Sequence, residues 1–135
     1  MVAGDIPPPP VGVLLGMRLV EIDEGRAVFT LDAGPQHVSP LGTIHGGIIC
    51  DVADAAMGVA HGSLLDADES FTTLELKINF LKPVWEGTLT AVATVVKAGR
   101  TIGLVECRVT DSDGALVAHA TSTCMTLRGE AAAGR

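Results

Sequence analysis

Tyrosine is absent from this 135-residue chain, and its aromatic residues amount to three Phe and one Trp. So small a supply weakly disfavours a pocket that stacks a ligand between aromatic rings. Basic residues are also few: nine Lys and Arg stand against 16 Asp and Glu, a formal net charge of −7. Nucleic-acid binding needs a basic face to neutralise phosphates, so it is not expected; a few local cations would still suffice for one anionic small molecule. No apolar run reaches the roughly 18 to 20 residues of a membrane span, and no membrane association is expected. The opening MVAGDIPPPPVG lacks a basic leader and has prolines where a signal peptide has its apolar segment, so a cytoplasmic protein is expected. Cys50, Cys107 and Cys124 are an odd number without CxxC spacing. They read as buried free thiols in a reducing compartment, and no Cys/His cluster suggests a metal. No Gly-x-Ser-x-Gly elbow is present, which argues against an α/β-hydrolase route to ester cleavage.

What the chain does have is apolar surface: 47% of its residues are hydrophobic. That is much for a small monomer with a wet surface, so a subunit interface is expected. The length suits one domain, placed at residues 11–128, between a flexible Pro-rich lead-in (1–10) and a flexible tail (129–135). From Val11 an apolar run without a clean period reads as a short helical turn leading into a strand at Met17–Asp23. Alternation predicts strands at Arg26–Asp32 and around Leu74-Leu76-Ile78-Phe80, and further strands are expected at Thr88–Ala98, at Ile102–Thr110 and over the β-branched LVAHATSTCMTL. The last four are expected to form an antiparallel meander. One long helical candidate, within Leu41–Gly62, interrupts them, and the order belongs to the α+β class. One helix cannot cover both faces of such a sheet. The sheet is therefore expected to curl around the helix and to meet a second subunit on its far face.

The helix carries the chemistry. At about 100° per residue, Ile48, Val52, Ala55, Ala56 and Val59 share one apolar face, expected to be the core contact. Cys50, Asp51, Asp54, Gly58 and His61 take the other side, with Met57 at its border. Gly46 and Gly47 leave N–H groups open at the positive end of the helix dipole, suited to a developing negative charge on a carbonyl oxygen or simply to close packing. Asp54 follows His45 by nine residues, a rise of roughly 13 Å along the axis. The two cannot attend one reacting carbon within one helix. If both are catalytic, they come from two copies lying across a two-fold axis, which the small residues Ala53, Gly58 and Gly62 would let approach closely.

The motif GTIHGGIICDVADAAMG, with its HGG entrance and spaced acid, and the downstream LELKINFLKPVWEGTLTAVATVVKAGRTIGLVECRVTDSDGALVAHATSTCMTL resemble the hotdog-fold acyl-CoA thioesterases. In particular they resemble the phenylacetate-degradation (PaaI) type and the related Arthrobacter-type 4-hydroxybenzoyl-CoA thioesterases. The resemblance covers about Met17 to Leu127 and implies a curled antiparallel sheet wrapped around one long central helix, in homodimers often paired into homotetramers. By position it implies that Gly46 offers its N–H to the thioester oxygen beside His45, and that Asp54 of the other subunit is general base or nucleophile. No cofactor is implied, coenzyme A being part of the substrate. The turn at Lys97, Gly99, Arg100 and Thr101, with Lys82, is placed to meet coenzyme A by the same resemblance; Gly47, Met57, His61 and Phe71 are the candidate acyl or CoA contacts. One departure stands out. Many relatives have Asn or Gln six residues before the His, to hold water or the thioester, and here Ser39 occupies that position. Ser39 keeps open a non-catalytic acyl-CoA-binding protein, and a hotdog dehydratase or hydratase is a further, weaker alternative.

Overall fold

A computed structural model describes residues 7–135. The chain runs α1 (Pro10–Leu15), β1 (Met17–Asp23), β2 (Arg26–Ala33), a 3-10 turn (Pro35–His37), α2 (Gly46–Gly62), β3 (Ser70–Phe80), β4 (Gly87–Ala98), β5 (Ile102–Thr110) and β6 (Leu116–Leu127). The expected strands and the single long helix are all found. Of the expected Pro-rich lead-in, residues 1–6 lie outside the described residues, residues 7–9 precede α1, and Pro10 opens it. In the expected tail, Gly129–Ala132 form a 3-10 turn.

All six strands pair antiparallel in one sheet of order β1-β2-β4-β5-β6-β3. Two expectations are corrected by that order. The last four strands are not a continuous meander, because β3 pairs with the far side of β6 and β4 pairs with β2. The Leu81–Glu86 connection, interrupted by Pro83, therefore spans the sheet instead of forming a hairpin. Nor is the sheet curled around the helix. It is open, ending at β1 and β3, and α2 packs against one face of it. The helix manages this by lying across the strands and touching all six of them. Small residues make that close approach feasible: Ala53, Ala56 and Ala60 are fully buried between larger Val52 and Met57.

The helix is also rotated relative to the expected face. Its buried stripe is Ile49, Val52, Ala53, Ala56, Met57 and Ala60, spaced i, i+3, i+4, i+7, i+8 and i+11. Ile48, Ala55 and Val59 only flank it. Strand side chains such as Leu31, Leu89, Val105 and Val117 fill the other half of the core, each with no exposed surface. In β3 a register shift between Thr73 and Glu75 breaks the alternation, and Leu74 at that bulge is exposed instead of facing inward with Leu76 and Ile78.

Candidate active site

The sharp start of α2 is built by His45. Its backbone is extended (φ −60°, ψ 132°), and its ring Nδ1 accepts the Gly47 N–H at 2.9 Å, an N-cap made by imidazole instead of the usual hydroxyl or carboxylate. With Nδ1 accepting, the neutral ring carries its proton on Nε2. The N–H of Gly46, at the first helical position, has no acceptor among the described residues. The Gly46 N–H and the His45 ring thus both belong to the positive end of the dipole. Gly46 is glycine for a local reason: a Cβ there would lie 3.0 Å from the Phe80 ring.

These groups open onto a groove of about 640 Å³ that also holds Ser39, Leu41, Phe80 and Lys82. Ser39 is therefore beside His45 in space as well as in sequence. Its Oγ accepts the Leu41 N–H at 3.2 Å and its backbone bonds Thr43 and Gly42, so it shapes the 39–43 loop while its hydroxyl proton stays available. Lys82 is paired with Asp111, whose carboxyl is held below its ordinary range chiefly by that bond.

Asp54 faces a different space. A cavity of about 740 Å³ is bounded by α2, the β1–β2 hairpin, the start of β3 and the segment before β1, and Asp54 and Thr73 are its polar members on α2 and β3. Thr73 Oγ1 donates to Asp54 Oδ1 at 3.4 Å, a long bond. Solvent reaches the carboxylate, yet its apolar surroundings raise its pKa. Partial burial is the main cause, the charge of Asp51 adds to it, and the Thr73 bond opposes both.

The other expected residues divide. Phe71 lines this cavity, its ring resting on Gly58 and Gly62, where a Cβ would come within 3.1 and 3.2 Å. Those glycines therefore receive a ring of the same chain, not a neighbouring helix, and Ala53 is in the core. Met57 is fully buried in the core and lines neither cavity. His61 is only 2% exposed, contrary to its expected polar side: Nε2 bonds Thr126 Oγ1 at 3.1 Å, and the ring meets Phe71 edge-on at 5.6 Å. The helix rotation that buries Met57 and Gly58 carries His61 inward with them. Gly47 stays at the helix start, exposed, giving its N–H to His45. Lys97, Gly99, Arg100 and Thr101 lie on the exposed β4–β5 turn and border neither cavity of the single chain. Gly99 is required there, since a Cβ would sit 2.7 Å from the Ile102 carbonyl oxygen.

Sequence reasoning assigned no role to Thr73, Phe80 or Arg128. Arg128 donates from Nη2 to the Arg100 carbonyl at 2.6 Å and pairs through Nε with Glu69 at 2.5 Å, fastening the turn to the loop after α2. The only signal for Phe80 was its place in the Phe-x-x-Pro stretch. The thiols are not activated: burial pushes Cys107 up to about 12 and also raises Cys50 and Cys124. Among the described residues no three His, Cys, Asp or Glu side chains are grouped to hold a metal.

The chain is similar to known proteins in both sequence and fold. Residues 41–118 match the family described as the thioesterase superfamily. The protein SSO2140 of Saccharolobus solfataricus is 35% identical over 84% of this chain and 81% of its own length. The 1,4-dihydroxy-2-naphthoyl-CoA hydrolase of Listeria monocytogenes is 28% identical over 72% of this chain and 79% of its own. The structure of the Escherichia coli PaaI protein, from the phenylacetic acid degradation operon, superposes with a TM-score of 0.84 at 27% identity, covering 90% of this chain and 86% of that one. The chain belongs to the thioesterase superfamily. Within it, the protein is a hotdog-like thioesterase of the PaaI kind, and its activity is thioester hydrolysis.

Proposed function

We propose that the protein hydrolyses an acyl-CoA thioester to a carboxylic acid and free coenzyme A at sites shared between two copies of the chain. The observation that carries this reading is the separation of the two half-sites: His45 and Gly46 open on one groove and Asp54 on another cavity, nine residues away on one rigid helix. A site complete in donors and carboxylate requires the helix start of one copy beside Asp54 of another. The Gly46 N–H and His45 Nε2–H would bind the thioester oxygen as charge develops on it. Asp54, kept basic by its apolar surroundings, takes the proton of a water whose oxygen attacks the carbonyl carbon. Collapse of the tetrahedral species breaks the carbon–sulfur bond, and the CoA thiolate leaves and is protonated. In the covalent variant, Asp54 itself attacks and water then opens the anhydride.

The named CoA hydrolase among the relatives supports coenzyme A as the thiol. The exposed turn of Lys97, Arg100 and Thr101 supplies the cations for its phosphates. A homodimer is the minimal active unit in this reading, and pairing into a homotetramer would cover more of the sheet. A cytoplasmic location fits the substrate, and no described helix is long and apolar enough to cross a membrane.

The test is a hydrolysis screen over short, medium, long and aryl acyl-CoAs with free-thiol detection. Thiol release that disappears in Asp54→Asn supports the reading; acyl-CoA binding without turnover across the panel sinks it in favour of a binding protein, the alternative Ser39 keeps open. A single turnover in ¹⁸O water bears on the route, since direct water attack labels the first acid released, whereas an anhydride opened by water at the Asp54 carbonyl carbon releases an unlabelled acid and leaves the label on Asp54.

A further inference from the structure

The cavity beside Asp54 has a wall that belongs to neither half of the reaction centre. Pro7, Pro8 and Pro9, with Val11 and Gly12 of α1, line it. Proline fixes φ and has no N–H, so this run presents a stiff apolar surface without donors. The run is anchored. Pro9 is the extended N-cap of α1, Gly12 is buried, and α1 closes on Gly16 in the left-handed conformation (φ 79°). Just past Gly12, the Leu15 carbonyl accepts the Nε2–H of buried His37 at 2.8 Å, and His37 is oriented by the Gly34 N–H on its Nδ1.

The charged and hydroxyl side chains of the lining are Arg18, Asp54 and Thr73. Arg18 is already paired with Asp32 at 3.0 Å, and Asp54 and Thr73 bond each other. Arg18 is the one cation of the lining and its charge is matched by Asp32, while apolar side chains such as Leu19, Phe29 and Val59 make up the rest.

We infer that the Pro7–Gly12 segment is the specificity wall of this enzyme, closing the acyl end of the site so that it selects an uncharged, apolar acyl group long enough to reach the prolines. The inference rests on the thioester-hydrolase reading, in which Asp54 marks the position of the acyl carbonyl. Each methylene moved from water to such a lining is worth about fourfold in kcat/KM until the chain meets the wall.

The experiment measures kcat/KM of the full chain for acetyl-, butanoyl-, hexanoyl-, octanoyl-, decanoyl- and glutaryl-CoA. Two variants are compared with it, Pro8→Gly/Pro9→Gly and Val11→Lys. Val11 is 52% exposed, so a lysine stem is accommodated there without disturbing the core. The expected results are a climb of about fourfold per methylene that stops at a defined length, and a tenfold or larger fall in the octanoyl-to-acetyl ratio in the double glycine variant. Val11→Lys should raise the glutaryl-to-butanoyl ratio about tenfold by giving the second carboxylate a partner. A flat length profile, a wild-type preference for glutaryl-CoA, or unchanged ratios in both variants would overturn the wall while leaving thioester hydrolysis intact. Absence of hydrolysis for every acyl-CoA would instead overturn the hydrolase reading, and the wall with it.

Discussion

The start of α2 and its middle solve opposite problems with the same two residue types. At each, a glycine lies under a phenylalanine ring: Gly46 under Phe80, and Gly58 under Phe71. Phe80 is 53% exposed and borders an open groove in which polar groups are held by backbone donors. Phe71 is wedged on Gly58 and Gly62 with His61 at its edge, and it borders the cavity whose apolar lining partly buries Asp54 and raises its pKa. One region offers oriented backbone dipoles, and the other partly withdraws a carboxylate from solvent.

Removing the carboxylate should break this comparison most completely. Asp54→Asn is expected to lower kcat by about 10²–10⁴-fold, the range for a positioned general base. It should also raise the melting temperature at neutral pH. The sign follows from the raised pKa: the charged form is disfavoured in the folded state, so ionised Asp54 subtracts stability above its folded pKa, and the neutral amide does not. Differential scanning fluorimetry beside steady-state kinetics checks both halves. In the unmodified enzyme the acid limb of the kcat/KM profile should lie above the ordinary carboxylate range and vanish in the variant's residual activity.

Sharing of the site is tested by mixing. Asp54→Asn and His45→Ala chains, each nearly inactive, should on unfolding and co-refolding regain about a quarter of wild-type activity. Half of the random dimers are mixed, and each of those holds one intact site of two. No recovery, with mixed dimers demonstrated by mass spectrometry, would place the whole site within one chain.

The separation of Asp54 from His45 and Gly46 was legible in the chain because nine helical residues impose a distance that no packing detail alters. The strands were legible too, since stretches of period-two alternation or of β-branched residues mark them even where a bulge interrupts β1 or β3. Strand order was not. Alternation specifies which face a residue takes, not which strand lies beside it, so β3 appeared to begin a meander when it closes the far edge next to β6. The phase of α2 was misread for a related reason. A helix that is apolar nearly all round, from Ile48 and Ile49 to Val59 and Ala60, offers several faces of similar hydrophobicity. The sheet, not the pattern, chose the one bearing Met57 and His61.

The two glycines separate activity from stability on a smaller scale. In Gly46→Ala the new methyl needs the Phe80 ring to yield by a few tenths of an ångström, which an exposed ring does cheaply. Stability should change by less than about 0.5 kcal/mol, while kcat falls about tenfold as the donors shift against the substrate. Gly58→Ala gains roughly 1 kcal/mol of helix propensity. It loses about 1–3 kcal/mol by crowding Phe71, which has His61 at its edge. Chemical denaturation should therefore show a net loss of about 1 kcal/mol, with the activity change confined to substrates that contact Phe71.

The smallest effect isolates the buried side of the same ring pair. His61 is nearly fully buried, its Nδ1 has no hydrogen-bond partner among the described residues, and a Cβ on Gly103 would fall 2.6 Å from that atom. Burial alone lowers its pKa. The unfolded chain therefore takes up the proton near the ordinary histidine value of 6.5 while the folded chain still resists it. Stability due to neutral His61 is fully present above pH 6.5 and is lost as the pH falls from there toward the folded pKa. One proton limits the slope to about 1.4 kcal/mol per pH unit. His61→Gln keeps a polar group for Thr126 and removes the titration. Denaturation midpoints between pH 7 and 5 should fall less steeply in the variant than in the unmodified chain, whereas parallel curves would assign the acid sensitivity to other groups.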